Sequence, residues 1–273
     1  MRSFHSYPAH IVDPAIYEAD PGIAGSAYPS YLADWRNFAK VILNAVPEAK
    51  FAGPDTAVSG TSSYTPNPVS GVSWTQKFAE DLKGSGILSE ALQHHYVWGC
   101  PGNTTAQEAI DDMLSSAWDN DTSIGKQPAY HGGTANFHPY PFVYAHILAP
   151  LASDGVPYRM TEANDCLHGV VGASNGYASA LWALDYMHWW AAHGMAGVNF
   201  HNNPWIPTNT IVSNPNPCPP TGCGNYAVTP KGCGMKAFAL GSHGHVEPVA
   251  ISNPKNINVT AYAVGDAQDL YVT

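Results

Sequence analysis

The chain has 273 residues, 45% of them hydrophobic and only 12% charged, with a formal net charge of −10. That length suits one large domain, or one domain with a small appendage. The acidic balance excludes a nucleic-acid binder, which needs a basic face, and no run of about 18 apolar residues is present to span a membrane.

The N-terminal stretch MRSFHSYPAH has no apolar h-region and does not read as a signal peptide. Low charge, abundant Gly, Pro, Tyr and Trp, and three Asn-x-Ser/Thr triplets at Asn103, Asn120 and Asn258 nonetheless suggest an extracellular lineage.

The first amphipathic segment is PSYLADWRNFAKVILNAVP. It places Tyr31, Leu32, Trp35, Phe38, Ala39, Ile42, Leu43 and Val46 on one helical face, with Ser30 as N-cap and Pro47 as the stop. KFAGPDT then reads as a short strand ending at Asp55, followed by a Ser/Thr/Pro/Gly-rich loop over 56–72. SWTQKFAEDLKGSG carries a capping-box pattern, Ser73 to Gln76, and ends at Gly84. ALQHHYVWG reads as a strand, and TAQEAIDDMLSSAW as a helix with a second capping box, Thr105 to Glu108. PFVYAHILAPLAS reads as a helix interrupted or ended near Pro150. PYRMTE is a strand, SNGYASALWALDYMHWWAAHG a long Ala-rich helix closed by Gly194, and AGVNFHN another strand. GCGMKAFALGSHG is predicted as a helix, and VEPVAI, INVTAYAVG and DLYVT as short alternating strands.

Helices alternating with strands up to about residue 242 imply parallel strands covered by helices. Both a doubly wound sheet and a (β/α)8 barrel fit. No G-x-G-x-x-G and no P-loop is present.

The five cysteines are 100, 166, 218, 223 and 233. CPPTGC is expected to close a small disulfide between Cys218 and Cys223. Cys233 with His243 and His245 is the loosest of metal-ligand groupings, and neither a metal nor a cofactor is expected.

Polar and aromatic residues collect at the predicted strand ends: Asp55; His95, Tyr96 and Trp98; Glu162 and Asn164; Asn199, His201 and Asn202. In a β/α barrel the site lies at those ends. A carboxylate ringed by aromatics and neutral hydrogen bonders suits a sugar, whose faces stack on rings. A strand-end glutamate also serves simply to cap a helix or meet an arginine.

YRMTEANDC followed by NGYASALWALDYMHWWAAHGMAGVNFHN resembles glycoside hydrolase family 79, which includes β-glucuronidases and heparanase-like enzymes. YLADWRNFAKVILNAVPEAKFAGPDTA, YAVTPKGCGMKAFA and INVTAYAVGDAQDLYVT extend the resemblance over nearly the whole chain. The resemblance implies an α/β fold, an incomplete (β/α)8 TIM barrel of about strands 5–8 over residues 1–242, with a C-terminal antiparallel β-sandwich beginning at 243–273. It implies a retaining mechanism, in which two carboxyls stand about 5–5.5 Å apart. Glu162 matches the nucleophile. Tyr96 is expected to hold it ionised by donating a hydrogen bond, with His95, Asn164 and His201 among the substrate contacts. A glucuronide-type glycoside is the implied partner.

The family's acid/base glutamate lies in an Asn-Glu-Pro motif, and no Asn-Glu pair occurs in this sequence. Asp55, Glu18 and Asp20 are the candidate replacements. The alternative expectation is a truncated, catalytically incompetent fragment or a carbohydrate-binding remnant. A half barrel is further expected to self-associate through its exposed edges.

Overall fold

The structure is a computed structural model that describes residues 27–56, 73–98, 100, 102–120, 139–203, 206–214, 220–222 and 224–273. Glu18, Asp20, the 57–72 loop and the CPPTGC cysteines lie outside the described residues. The chain divides into two compact units, one of residues 1–95 with 143–161, the other of 96–142 with 162–273.

The first unit is built on an aromatic core. Helix α1 (Ala27–Ala45) buries Tyr31, Leu32, Trp35 and Ala39 against Trp74, Phe78 and Leu82 of α2 (Trp74–Leu82). Trp35 meets Phe78 edge-on with ring centroids 5.0 Å apart. The expected apolar stripe is narrower than its sequence pattern, because Phe38 and Val46 at its rim stay 50% and 43% exposed. The helix also starts ahead of Ser30, which falls inside its first turn. Ser73 caps α2 by accepting from the Gln76 amide at 3.1 Å. The reciprocal half of that box is missing, since the Gln76 side chain turns to Glu80 instead.

Strand β1 (Phe51–Thr56) runs parallel to β2 (Leu88–Trp98), pairing Phe51 with Leu88 and Pro54 with Leu92. Gly53 faces the Phe78 ring so closely that a Cβ there would stand 3.1 Å from it. Gln93 of β2 is fully buried, donating to the Thr56 carbonyl at 2.7 Å and accepting from the Thr75 hydroxyl at 2.6 Å. Both ends of its amide are thereby satisfied, as a buried amide requires.

Strand β3 (Tyr158–Cys166) follows a helical stretch in three parts, before which come α3 (Ala106–Met113) and α4 (Ala117–Asn120). The three parts are α5 (Tyr140–Val143), a π-helical turn over Tyr144–Leu148, and α6 (Ala149–Ser153). Pro150 sits in the first turn of α6, where its missing N–H costs nothing, so the proline does not end the helix. The Thr105–Glu108 capping box of α3 forms in both directions, as its sequence predicts.

The second unit centres on α7 (Tyr177–Ala192). It is apolar nearly all round, which suits a helix buried on most sides. Trp182, Tyr186 and Trp190 are at most 2% exposed, and Trp182 stacks on Tyr186 at 4.9 Å. Gly194 takes a φ of +80, the left-handed conformation that ends helices on glycine. Phe200 of β4 (Val198–Phe200) packs against both Trp182 and Tyr186, which seats β4 on α7. A hairpin of β5 (Ile211–Asn214) and β6 (Asn225–Val228) follows. Helix α8 (Pro230–Gly241) then crosses α7 at close range. A Cβ at Gly234 would lie 2.4 Å from the Ala180 carbonyl, so only glycine permits that approach. Strands β7 (His245–Glu247), β8 (Ala263–Gly265) and β9 (Leu270–Val272) form an antiparallel sheet. They are shorter than VEPVAI and INVTAYAVG suggest, because 248–260 makes no strand pairing.

The fold is thus α/β: a four-stranded parallel sheet in the order β1-β2-β3-β4, with separate antiparallel sheets of two and three strands. A disulfide joins Cys100, just past β2, to Cys166 at the end of β3. Nothing in the cysteine spacing singled out that pair. Among the described residues no helix is long and apolar enough to cross a membrane.

Candidate active site

Strand β3 does not stop at Glu162, as the sequence suggests, but continues through Cys166. Asn164 and Asp165 are therefore buried strand residues, 0% and 4% exposed, and not a turn. Glu162 itself keeps a partly open side chain, 19% exposed.

Tyr96 reaches Glu162 from β2. Side chains alternate along this strand, so Ala91, Gln93, His95 and Val97 are buried while His94 and Tyr96 lie half-buried on the other face. The Tyr96 hydroxyl donates to Oε1 of Glu162. His201, just beyond β4, completes the group: its Nδ1 lies 2.8 Å from the Tyr96 hydroxyl and 3.4 Å from Oε1 of Glu162. The His201 backbone is held at both ends. Its amide donates to the Ala163 carbonyl at 3.2 Å, and its carbonyl accepts from Nδ2 of Asn164 at 3.0 Å.

Proton accounting fixes the roles. Tyr96 has one hydroxyl proton, and it goes to Glu162. The Tyr96 oxygen then accepts, so His201 carries its proton on Nδ1. Burial, then the hydrogen bond and negative charge of Glu162, push the Tyr96 hydroxyl well above the ordinary phenol value. Tyr96 is therefore a donor across the working pH range. Glu162 thus accepts a hydrogen bond from Tyr96 while its side chain stays partly exposed.

Tyr96, Glu162 and His201 are brought together; the other two expected contacts are not. His95 is 0% exposed and lies on the opposite face of β2 from Tyr96. Asn164 is also buried, its carboxamide bonded to the His201 carbonyl and to Lys231. Of the remaining strand-end residues, Asn202 is used locally, accepting from the Thr210 amide at 2.8 Å.

Beneath the group sits a fully buried ion pair that sequence reasoning missed. Nζ of Lys231 lies 2.5 Å from Oδ1 of Asp165. The ammonium also donates to Oδ1 of Asn164 at 3.0 Å, to the Thr208 carbonyl at 2.9 Å and to the Thr208 hydroxyl. It lies over the Trp182 ring at 5.3 Å from the centroid. Burial alone would raise the Asp165 carboxyl. Lys231, Ser174 and Thr208 together outweigh that and hold it below the usual carboxylate range. One sequence signal was available: Lys231 stands in the first turn of a helix, next to Pro230, where the macrodipole disfavours a cation unless an anion is close by.

In the first unit, Asp55 accepts from the Thr161 hydroxyl and stands 3.0 Å from Nε2 of His94. Its φ of +68 is left-handed, a conformation that aspartate tolerates better than most residues.

A cavity of about 290 Å³ in the second unit is lined by Leu181, Asp119, Asp185 and Tyr262 among others, and includes none of the Tyr96, Glu162 and His201 group. Among the described residues no group of three or more His, Cys, Asp or Glu side chains stands together in a way that could hold a metal ion.

No family profile matches the chain, and no curated protein matches it by sequence. Among solved structures it is similar to the crystal structure of a 4-O-α-L-rhamnosyl-β-D-glucuronidase from Fusarium oxysporum 12S in complex with Rha-GlcA, with a TM-score of 0.55 and 16% identity over 94% of this chain. The chain spans 48%, about half, of that structure's length. At that identity the likeness is one of α/β fold.

Proposed function

We propose that the chain carries the nucleophile of a retaining, β-glucuronidase-like glycoside hydrolase, with Glu162 as the attacking carboxylate and its strands forming part of a (β/α)8 barrel. The observation that carries this is the Glu162 carboxylate, held by the permanent donor Tyr96 with His201 alongside. In the first step Oε of Glu162 attacks the anomeric carbon, the glycosidic C–O bond breaks, and the leaving oxygen takes its electron pair. Water then attacks the anomeric carbon, the ester C–O bond breaks to restore the carboxylate, and the water's proton goes to the departed oxyanion or to solvent, with overall retention. Tyr96 keeps the carboxylate oriented through both steps.

The similar structure is of a 4-O-α-L-rhamnosyl-β-D-glucuronidase in complex with Rha-GlcA, which supports a β-glucuronide as the substrate class. The disulfide between Cys100 and Cys166 supports an extracellular setting, since such bonds persist in oxidising compartments. Strands β1 and β4 stand at the ends of the sheet order, and self-association through those edges forms part of the proposal.

Aryl glycosides are the substrates of choice for the test, because a phenolate departs without a proton and no Asn-Glu pair is present to supply one. Cleavage of an aryl β-glucuronide, lost in Glu162→Gln, is the expected result. Binding of the glucuronide without turnover, unchanged in Glu162→Gln, would favour a carbohydrate-binding protein instead.

A further inference from the structure

We infer that Lys231 is a positioning residue for the Glu162 group, acting through the carboxamide of Asn164 to hold His201 in the place and tautomer that meets Tyr96 and Glu162.

The chain of contacts is short. Lys231 offers only donors, so the oxygen of the Asn164 amide must face it, and the two stand 3.0 Å apart. That choice leaves Nδ2 of the same amide pointing at the His201 carbonyl, 3.0 Å away. A neutral side chain at 231 would remove one of the two partners that orient the amide and leave the His201 carbonyl alone to hold it. That loosens one of the two bonds that fix the His201 backbone, the other being its amide bond to Ala163. The Nδ1–H that Tyr96 and Glu162 share depends on that backbone being still.

Two further features make this more than packing. Lys231 is 0% exposed, and burying an ammonium with its carboxylate stabilises a fold no better than apolar residues of the same volume. The approach of α8 that delivers it is also built in. Gly232 and Gly234 follow it closely in sequence, and a Cβ at Gly232 would lie 2.3 Å from the Thr210 carbonyl and one at Gly234 2.4 Å from the Ala180 carbonyl. Asp165 absorbs the positive charge at 2.5 Å, so Lys231 orients the amide without competing with Tyr96 for the nucleophile.

The inference rests on the glycosidase assignment for its catalytic consequence, but not for its geometry, and the test separates the two. The variant is Lys231→Met combined with Asp165→Asn, which removes both charges and strands neither. Asn164→Ala is the second variant and leaves the ion pair intact. The His201 ring nitrogens are read in the free protein by long-range proton–nitrogen correlation spectra, with the signal assigned by its absence in His201→Gln. The expected result is an Nδ1-protonated imidazole in the wild type and a shift towards the Nε2-protonated form in whichever variant melts cooperatively. On an aryl β-glucuronide, kcat is expected to fall about 100-fold with KM within about threefold. An unchanged His201 signature in a folded variant would overturn the inference. A shifted signature in a chain whose wild type cleaves no glycoside would leave the positioning role standing and remove the glycosidase assignment.

Discussion

The Tyr96 hydroxyl donates to Oε1 of Glu162 while Nδ1 of His201 stands 2.8 Å from the same hydroxyl. One phenol therefore joins the carboxylate of β3 to the imidazole that follows β4. The order of proton donation is His201 to Tyr96 to Glu162, and each group has one role it can fill.

Tyr96→Phe removes the donor while keeping the ring. Hydrogen bonds to charged groups are worth about 1.5–3 kcal/mol, so kcat/KM on an aryl β-glucuronide is expected to fall by about 10- to 100-fold. Steady-state kinetics beside a melting curve would check this; a fall matched by loss of fold would not count in its favour.

Asp165→Asn leaves the Lys231 ammonium buried without its counter-charge. Breaking a buried pair from one side costs about 3–5 kcal/mol, to be measured by urea unfolding. In the wild type the Asp165 carboxyl titrates below its ordinary value. Its contribution is thus present above the unfolded pKa and lost as pH falls through the folded one, so this variant is expected to show a weaker acid limb of unfolding.

Asp119 and Asp185 give the opposite slope. Burial, followed by the charge and hydrogen bond of Asp185, raises the Asp119 carboxyl from 3.8 to about 8. Burial likewise raises Asp185, whose neighbours Thr260 and Tyr262 donate to it. The folded chain holds an extra proton between those two values, so stability is full below about pH 4 for this pair and declines as pH rises towards 8. Asp119→Asn is expected to flatten that decline in melting temperatures recorded from pH 5 to 9. An unaltered slope would show that the pair does not share a proton.

Reduction of the bond between Cys100 and Cys166 opens a loop of 66 residues in sequence separation. Loop-closure entropy puts the loss at about 4 kcal/mol, to be read as a lower melting temperature in Cys100→Ser with Cys166→Ser.

Much of the fold was legible where local chemistry sets it. The Thr105–Glu108 box formed as written, Gly194 ended α7, and the alternation along β2 put Tyr96 on the open face. What the sequence left out depends on distant partners. His95 and Tyr96 are neighbours of equal promise in the chain, yet the pleat buries one and opens the other. Asn164 and Asp165 are turn formers by composition, but Lys231 and Thr208, far along the chain, draw them into a strand. The hairpin of β5 and β6 escaped notice because Ile211 and Val228 stay 52% and 61% exposed, without a buried face to give the strands a pattern.

Mechanism-based labelling tests Glu162 most directly. A 2-deoxy-2-fluoro-β-glucuronosyl fluoride lets the first displacement proceed and slows the second, so a retaining nucleophile is trapped as its glycosyl ester. Peptide mass spectrometry is expected to find one added sugar, on Glu162 within YRMTEANDC, absent from Glu162→Gln. A label on any other carboxylate, or no label under conditions where the wild type turns over an aryl glucuronide, would contradict Glu162 as the attacking group.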